Sequence, residues 1–165
     1  MLDQTKKKTF SASIQEADIS SVQRKWAEGI MEIGRAFKSG EDFRKITEDL
    51  IDDLYAFEGG PVLFKPTLAS KVQFRPMRDD ALSYFVRGVH DEDGGFALKP
   101  WKFVRFGEQE FSIHGDQALA MGNYYFTPYD NDEETKVEFS FAYRLMEDGK
   151  LRIVLHHSSV PYSPS

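Results

Sequence analysis

The sequence predicts an α+β fold in which a curved antiparallel sheet packs on N-terminal helices. Apolar residues recur at helical spacing through the first third of the chain, and β-branched and aromatic runs broken by turn residues fill the rest. The last two strands are also long and joined by an Asp148-Gly149 hairpin signal. The first helix starts at Asp18, and Ile19, Val22, Trp26, Ile30, Ile33 and Phe37 lay one apolar stripe along it until Gly40. A second helix follows. Glu41 and Asp42 sit at its positive end, Phe43, Ile46, Leu50, Leu54 and Phe57 form its stripe, and Gly59-Gly60-Pro61 stops it.

Beyond Pro61 the expected strands are Val62 to Lys65, Val72 to Arg75, Pro100 to Phe106, Gln117 to Thr127, Lys136 to Met146 and Leu151 to Ser159. A short helix from Asp79 to Val86 interrupts them, capped by Asp79 and Asp80 and packed through Leu82, Phe85 and Val86. The acidic stretches His90 to Gly95 and Asp130 to Glu134 read as exposed, solvated turns. Long antiparallel strands curving around a helix enclose a cone with an internal cavity. Such a shape says nothing yet about chemistry.

The chain has 165 residues, of which 41% are hydrophobic, enough for a real core. Residues 1–17 read as a solvated arm with a basic run, Lys6 to Lys8, and residues 18–165 as a single cone-shaped domain. With 27 acidic against 21 basic side chains the net charge is −6, which gives no electrostatic reason to bind nucleic acid or an anionic membrane. No stretch approaches the length of a membrane span, and the mean hydropathy is −0.48, so a cytoplasmic protein is expected. Cysteine is absent, which excludes disulfides and thiolate metal sites.

Four histidines, at positions 90, 114, 156 and 157, are the only candidates for a metal held by imidazoles. His156 and His157 are neighbours on one strand, so their side chains point to opposite faces and cannot chelate one ion together. His90 lies in an acidic turn and His114 beside Gly115, and both are expected at the surface. No cofactor and no metal are therefore expected. The acidic clusters lack the glycine and glutamate spacing of an EF-hand loop, and no phosphate-cradling or nucleophile-elbow motif occurs.

The closing segment Leu151 to Tyr162 is the most informative. Alternation places His157 and Ser159 on the uniformly apolar face of Leu151, Ile153 and Leu155, while Arg152, Val154, His156 and Ser158 take the other. A titratable ring and a hydroxyl extending an apolar face put donors and acceptors at the mouth of a hydrophobic cavity.

The strings Val62-Leu63-Phe64-Lys65-Pro66-Thr67-Leu68-Ala69, Ala81-Leu82-Ser83-Tyr84-Phe85, Met121-Gly122-Asn123-Tyr124-Tyr125-Phe126 and His156-His157-Ser158-Ser159-Val160-Pro161-Tyr162 resemble the iota class of carbonic anhydrases. The likeness runs from about residue 20 to Tyr162. More distantly, the closing His-x-Ser-x-x-Pro pattern is similar to the association domain of calcium/calmodulin-dependent protein kinase II, and both imply a nuclear-transport-factor-2-like fold. The class has metal-dependent and metal-free members; the lack of a ligand set here favours the metal-free branch. Carried over residue by residue, the resemblance implies a bicarbonate pocket of Thr67, Tyr84, His157 and Ser159, with Asn123 and Tyr125 lining it. The choice of His157 over His156, and hence of Ser159 over Ser158, rests on strand parity.

The implied activity is metal-independent, reversible hydration of carbon dioxide to bicarbonate. Hydroxyls of Thr67, Tyr84 and Ser159 would hold the water and the product, while His157 orients the network or passes the proton. Two rivals stand beside it. A non-catalytic ligand-binding or assembly module would use the same cavity without chemistry. An isomerase or cyclase would need a buried carboxylate, for which Asp116 and Glu138 are the nominees. A homodimer is expected because a sheet face carrying Tyr124, Phe126 and Val137 would otherwise be left exposed.

Overall fold

A computed structural model describes residues 13–165, so the basic run at Lys6 to Lys8 lies outside the described residues. Helix α1, Glu16–Ser39, buries Ile19, Val22, Trp26, Ile30 and Ile33, as its periodicity requires. It begins two residues before the expected start. Gly40 ends it at φ 75°, a left-handed conformation that costs a glycine little. Helix α2, Phe43–Leu54, is capped by the Asp42 carboxylate, which accepts a hydrogen bond from the Lys45 amide. Tyr55 then leaves the helix in an extended conformation and makes a single parallel bridge to Ile153.

The sheet has five strands: β1, Leu63–Lys65; β2, Trp101–His114; β3, Gln117–Pro128; β4, Thr135–Leu145; and β5, Leu151–Ser159. Their spatial order is β1-β5-β4-β3-β2, with β1 parallel to β5 and every other pair antiparallel. A third helix, α3, Arg78–Val86, closes one end beside β1. Between helices and sheet, one apolar cluster runs from Ile14 to Ile153.

Two details of the sheet redirect side chains. Opposite Ala142 and Tyr143, β5 pairs through Leu155 and Ile153, so Val154 is an extra residue with no partner, a β-bulge. Leu151 and Ile153 face the core as expected. After the bulge the parity changes, and His156 and Ser158 point inward while His157 and Ser159 point outward. The expected inward placement of His157 and Ser159 is thereby corrected. Strand β3 is also read inside out: Tyr124 and Phe126 are buried, and Asn123 and Tyr125 face the outer side with Met121. The Tyr124 ring stacks on Trp26 with centroids 5.5 Å apart and meets Phe139 edge-on at 5.1 Å, and that aromatic burial decides the face. Tyr124, Phe126 and Val137 therefore do not form the exposed patch first expected to drive dimerisation.

The loops differ more. Residues Val72 to Arg75 are not a strand but part of a loop held from the side. Glu92 accepts hydrogen bonds from the amides of Ser70, Lys71 and Val72. Arg75 is fully buried and forms a bidentate pair with Asp93, both bonds 2.8 Å, while Ser83 donates to the same carboxylate at 2.6 Å. His90 is half-buried, with Nε2 2.8 Å from Asp80. The stretch expected to be a solvated acidic turn is thus a structural clamp. The three amide donors pull the Glu92 carboxyl down to a pKa of about 2.

Removing one partner of a buried, hydrogen-bonded ion pair leaves the other charge uncompensated, which typically costs about 3–5 kcal/mol. Asp93→Ala should lose about that much stability in urea denaturation. Asp91→Ala, two residues away and exposed, should stay within about 0.5 kcal/mol of the parent.

Candidate functional site

The inner end of the cone is a small aromatic chamber with a polar floor. Phe64, Trp26 and Phe141 surround the His156 ring, Phe64 at 5.0 Å and Phe141 at 4.1 Å between centroids. His156 is 2% exposed, so both ring nitrogens need partners. Nδ1 lies 2.9 Å from the Tyr55 hydroxyl and Nε2 3.1 Å from the Tyr124 hydroxyl. Tyr124 donates to Ser158 Oγ at 2.5 Å, and Ser158 Oγ in turn sits 2.6 Å from Thr67 Oγ1. Tyr84 stands beside Thr67, and its hydroxyl oxygen accepts from the Leu68 amide at 3.4 Å. No buried side-chain nitrogen or oxygen among the described residues lacks a partner.

Each of these side chains is positioned by a different element. Thr67 lies just beyond β1, after Pro66, and the parallel pairing of β1 with β5 sets Phe64 against His156 and Lys65 against His157. Lys65 adds a bond from Nζ to the Ser158 carbonyl at 3.0 Å, tying the two strand ends together. Tyr84 comes from α3, Tyr124 from β3 and Tyr55 from the end of α2.

Two adjacent spaces share a wall here. The chamber against Trp26, Phe64, Tyr84, Tyr124, His156 and Ser158 has room of only about 10 Å³, near the minimum for one water molecule. Outside it opens a cavity of about 600 Å³ lined by Leu68, Phe96, Trp101, Phe126, Val137 and the clamp carboxylates Glu92 and Asp93. Thr67, Tyr84 and Phe96 belong to both linings and form the throat between them.

The electrostatics of the chamber follow from its dryness. Burial, with a smaller contribution from neighbouring His157, drives the His156 pKa down to about 3, so the ring is neutral at any ordinary pH. Burial also raises the Tyr84 and Tyr124 phenols above their usual value; hydrogen bonds only partly offset this. The chamber holds uncharged donors and acceptors and an apolar wall. It has no ionised base.

Of the six site residues expected from the sequence, Thr67 and Tyr84 are at the throat. The other four, Asn123, Tyr125, His157 and Ser159, are not. Asn123, His157 and Ser159 line a separate groove of about 660 Å³ on the outer face of the sheet, together with Met121, Glu138 and Ser140. There Ser159 donates to Glu138 at 2.8 Å. Tyr125 stacks under the Arg105 guanidinium at 4.0 Å. In their places stand His156, Ser158 and Tyr124. Neither a glycine nor a proline marks the Val154 bulge, so no local signal in β5 announces the change of parity. Among the described residues no three histidine, aspartate or glutamate side chains come together as a metal-ligand group.

A family model for metal-independent carbonic anhydrase matches residues 17–160. The metal-independent carbonic anhydrase of Nostoc sp. (strain PCC 7120) is 38% identical over 155 residues, spanning 91% of this chain and 75% of that protein. Among solved structures, a cyanobacterial iota-carbonic anhydrase complexed with bicarbonate superposes with a TM-score of 0.88 at 36% identity, covering 92% of this chain and 95% of that one. A nuclear-transport-factor-2-like protein of unknown function from Pseudomonas putida shares the fold, with a TM-score of 0.63, 12% identity and 92% of each chain covered.

The depressed His156 pKa has a measurable consequence. Between about pH 3 and 6.5 the unfolded chain takes up a proton at this residue and the folded chain does not, so stability is complete above about 6.5 and falls as the pH drops toward 3. The slope contributed approaches roughly 1.4 kcal/mol per pH unit. Guanidinium denaturation of His156→Gln should show a shallower acid-side loss than the parent across that window, whatever its absolute stability.

Proposed function

The chain belongs to the family of metal-independent carbonic anhydrases, and we propose that it hydrates carbon dioxide at the throat where Thr67, Tyr84 and Ser158 meet. The observation that carries this is the join of a hydroxyl-lined floor to an apolar wall at a space of molecular size. A linear, uncharged gas needs a dry pocket, and the oxyanion that develops as water adds needs fixed donors.

In the proposed step, a water held by the Thr67 and Ser158 hydroxyls attacks the carbon. A carbon–oxygen bond forms, one C=O π pair moves onto oxygen, and that oxygen is received by the Thr67 and Tyr84 hydroxyls. The proton released by the water leaves through the outer cavity to solvent, giving bicarbonate and a proton. His156 holds Tyr124 and, through it, Ser158. Its depressed pKa suits it to orient rather than to carry charge. Without a metal to lower the pKa of the water, rate must come from positioning and preorganised donors.

The isomerase rival loses its base. Glu138 lies on the outer face, Asp116 is exposed at a turn, and the buried Asp93 is fully engaged by Arg75 and Ser83. Self-association belongs to the same proposal, with a second copy of the chain covering the outer face. Its support is now the exposure of Leu119 and Met121, 54% and 65%, on the outward side of β3 beside the outer groove. A cytoplasmic location remains part of the proposal; no described helix is long and apolar enough to cross a membrane.

Loss of one oxyanion-hole-type donor typically costs about 10²-fold in rate. In stopped-flow hydration with a chelator present, Thr67→Val, which loses a donor to the oxyanion, should fall by about that factor; Ser158→Ala, which loses the hydroxyl that helps hold the water, should also fall, whereas Ser159→Ala and His157→Ala should keep the parental rate. The opposite pattern would move the site to the outer face. Separately, Met121→Glu should shift the protein toward a species of about 19 kDa in sedimentation. A parent that already sediments only as that species would refute the dimer.

A further inference from the structure

The chain of hydrogen bonds through the core does not end at His156. Trp26 Nε1 lies 3.0 Å from the Tyr55 hydroxyl oxygen, and Tyr55, 2% exposed, touches Nδ1 of His156 with that same oxygen. Neither Trp26 nor Tyr55 lines the throat through a polar group, and the mechanism so far uses neither. Their arrangement nevertheless determines the direction of every proton in the network.

An indole N–H only donates. Trp26 therefore gives its proton to the Tyr55 oxygen, and the remaining partner for the Tyr55 proton is His156 Nδ1. Reversing that bond would strand a buried hydroxyl proton, at a cost comparable to losing a hydrogen bond outright. With Nδ1 accepting, the neutral ring carries its proton on Nε2 and donates to Tyr124. Tyr124 then donates to Ser158, as its geometry has it, and Ser158 to Thr67. The sense of the chain is fixed from Trp26 onward: each group accepts from behind and donates ahead. The Thr67 proton is left over, beside the Tyr84 hydroxyl.

We propose that Trp26 and Tyr55 are positioning residues that lock His156 in its Nε2–H tautomer, so that the chain terminates at the throat in donor protons rather than lone pairs. In the opposite tautomer every hydroxyl would turn round. Thr67 would then present only acceptor lone pairs, and a forming bicarbonate would meet no proton from that side. The lock makes the floor of the site selective for an anion. It also bars a proton from leaving by this route, because an indole nitrogen at the far end cannot accept one.

The tautomer follows from hydrogen-bond accounting alone, while its effect on rate rests on the carbon dioxide reading; one experiment separates them. Nitrogen NMR of the full chain with labelled histidine reports which ring nitrogen carries the proton, independently of any activity. The parent should show one histidine as a pure Nε2–H form that does not titrate between about pH 5 and 8. Tyr55→Phe should turn that signal into a mixture of tautomers, and hydration should drop about ten- to a hundredfold, the scale seen when the orienting partner of a metal-bound imidazole is removed. Trp26→Phe should give a smaller change in the same direction, and serves if Tyr55→Phe does not fold. A parental His156 protonated on Nδ1, or a tautomer unmoved in the folded variant, would overturn the proposal. A lock present in a parent with no hydration activity would instead leave the tautomer standing and overturn only its role in catalysis.

Discussion

Burying a neutral imidazole with both nitrogens satisfied is the constraint on which the rest of this architecture depends. His156 needs two partners that water cannot supply, and the fold provides one from the helical layer, Tyr55, and one from the sheet, Tyr124. Those two phenols cannot reach the same ring unless α2 ends where it does and β3 turns Tyr124 inward. The aromatic packing around them, Trp26 on Tyr124 and Phe64 on His156, then excludes water and depresses the ring's pKa. Stability and site are thus two aspects of one set of contacts. The polar groups that would cost most if unpaired are the same ones that aim hydroxyls at the throat.

The outer cavity follows a different logic. Its rim is held by charge: Glu92 gathers three amides of the 70–72 loop, and Asp93 anchors the buried Arg75. Such bonds orient loop backbone without a regular strand, which is why a stretch rich in turn residues still makes a defined wall. The floor is built from neutral dipoles and the rim from paired ions, so no free carboxylate faces the place where an anion would form.

Much of this was legible in the sequence. The stripes of α1 and α2, the short helix before Val86, and the limits of β5 all follow from periodicity and turn chemistry, because burial of an amphipathic face leaves a pattern in the residues themselves. The likeness to a known family also pointed to Thr67 and Tyr84, and the structure brings these two together at the throat. What did not come through was parity. A one-residue bulge at Val154 moves His156 and Ser158 inward, and a slip of one residue exchanges the two faces of a strand completely. No glycine or proline in Leu151 to Ser159 signals that bulge, which lies where β5 pairs with β4. On β3 the residues expected to line the pocket, Asn123 and Tyr125, lie on the outer face, because the choice of face belongs to Tyr124, whose packing partner Trp26 is far away in the chain. The clamp at Glu92 and Asp93 escaped for the same reason: an acidic turn looks solvated until the buried Arg75 that it serves is known.

The central claim is that the reaction belongs to the inner face of β5, at Thr67, Tyr84 and Ser158, and not to the outer face that carries His157 and Ser159. A crystal structure of the parent protein with bicarbonate would test it most directly. The account predicts bicarbonate at the throat, with its oxygens within hydrogen-bonding distance of the Thr67, Tyr84 and Ser158 hydroxyls. Bicarbonate held instead in the outer groove by His157 and Ser159, with the throat filled only by water, would contradict it.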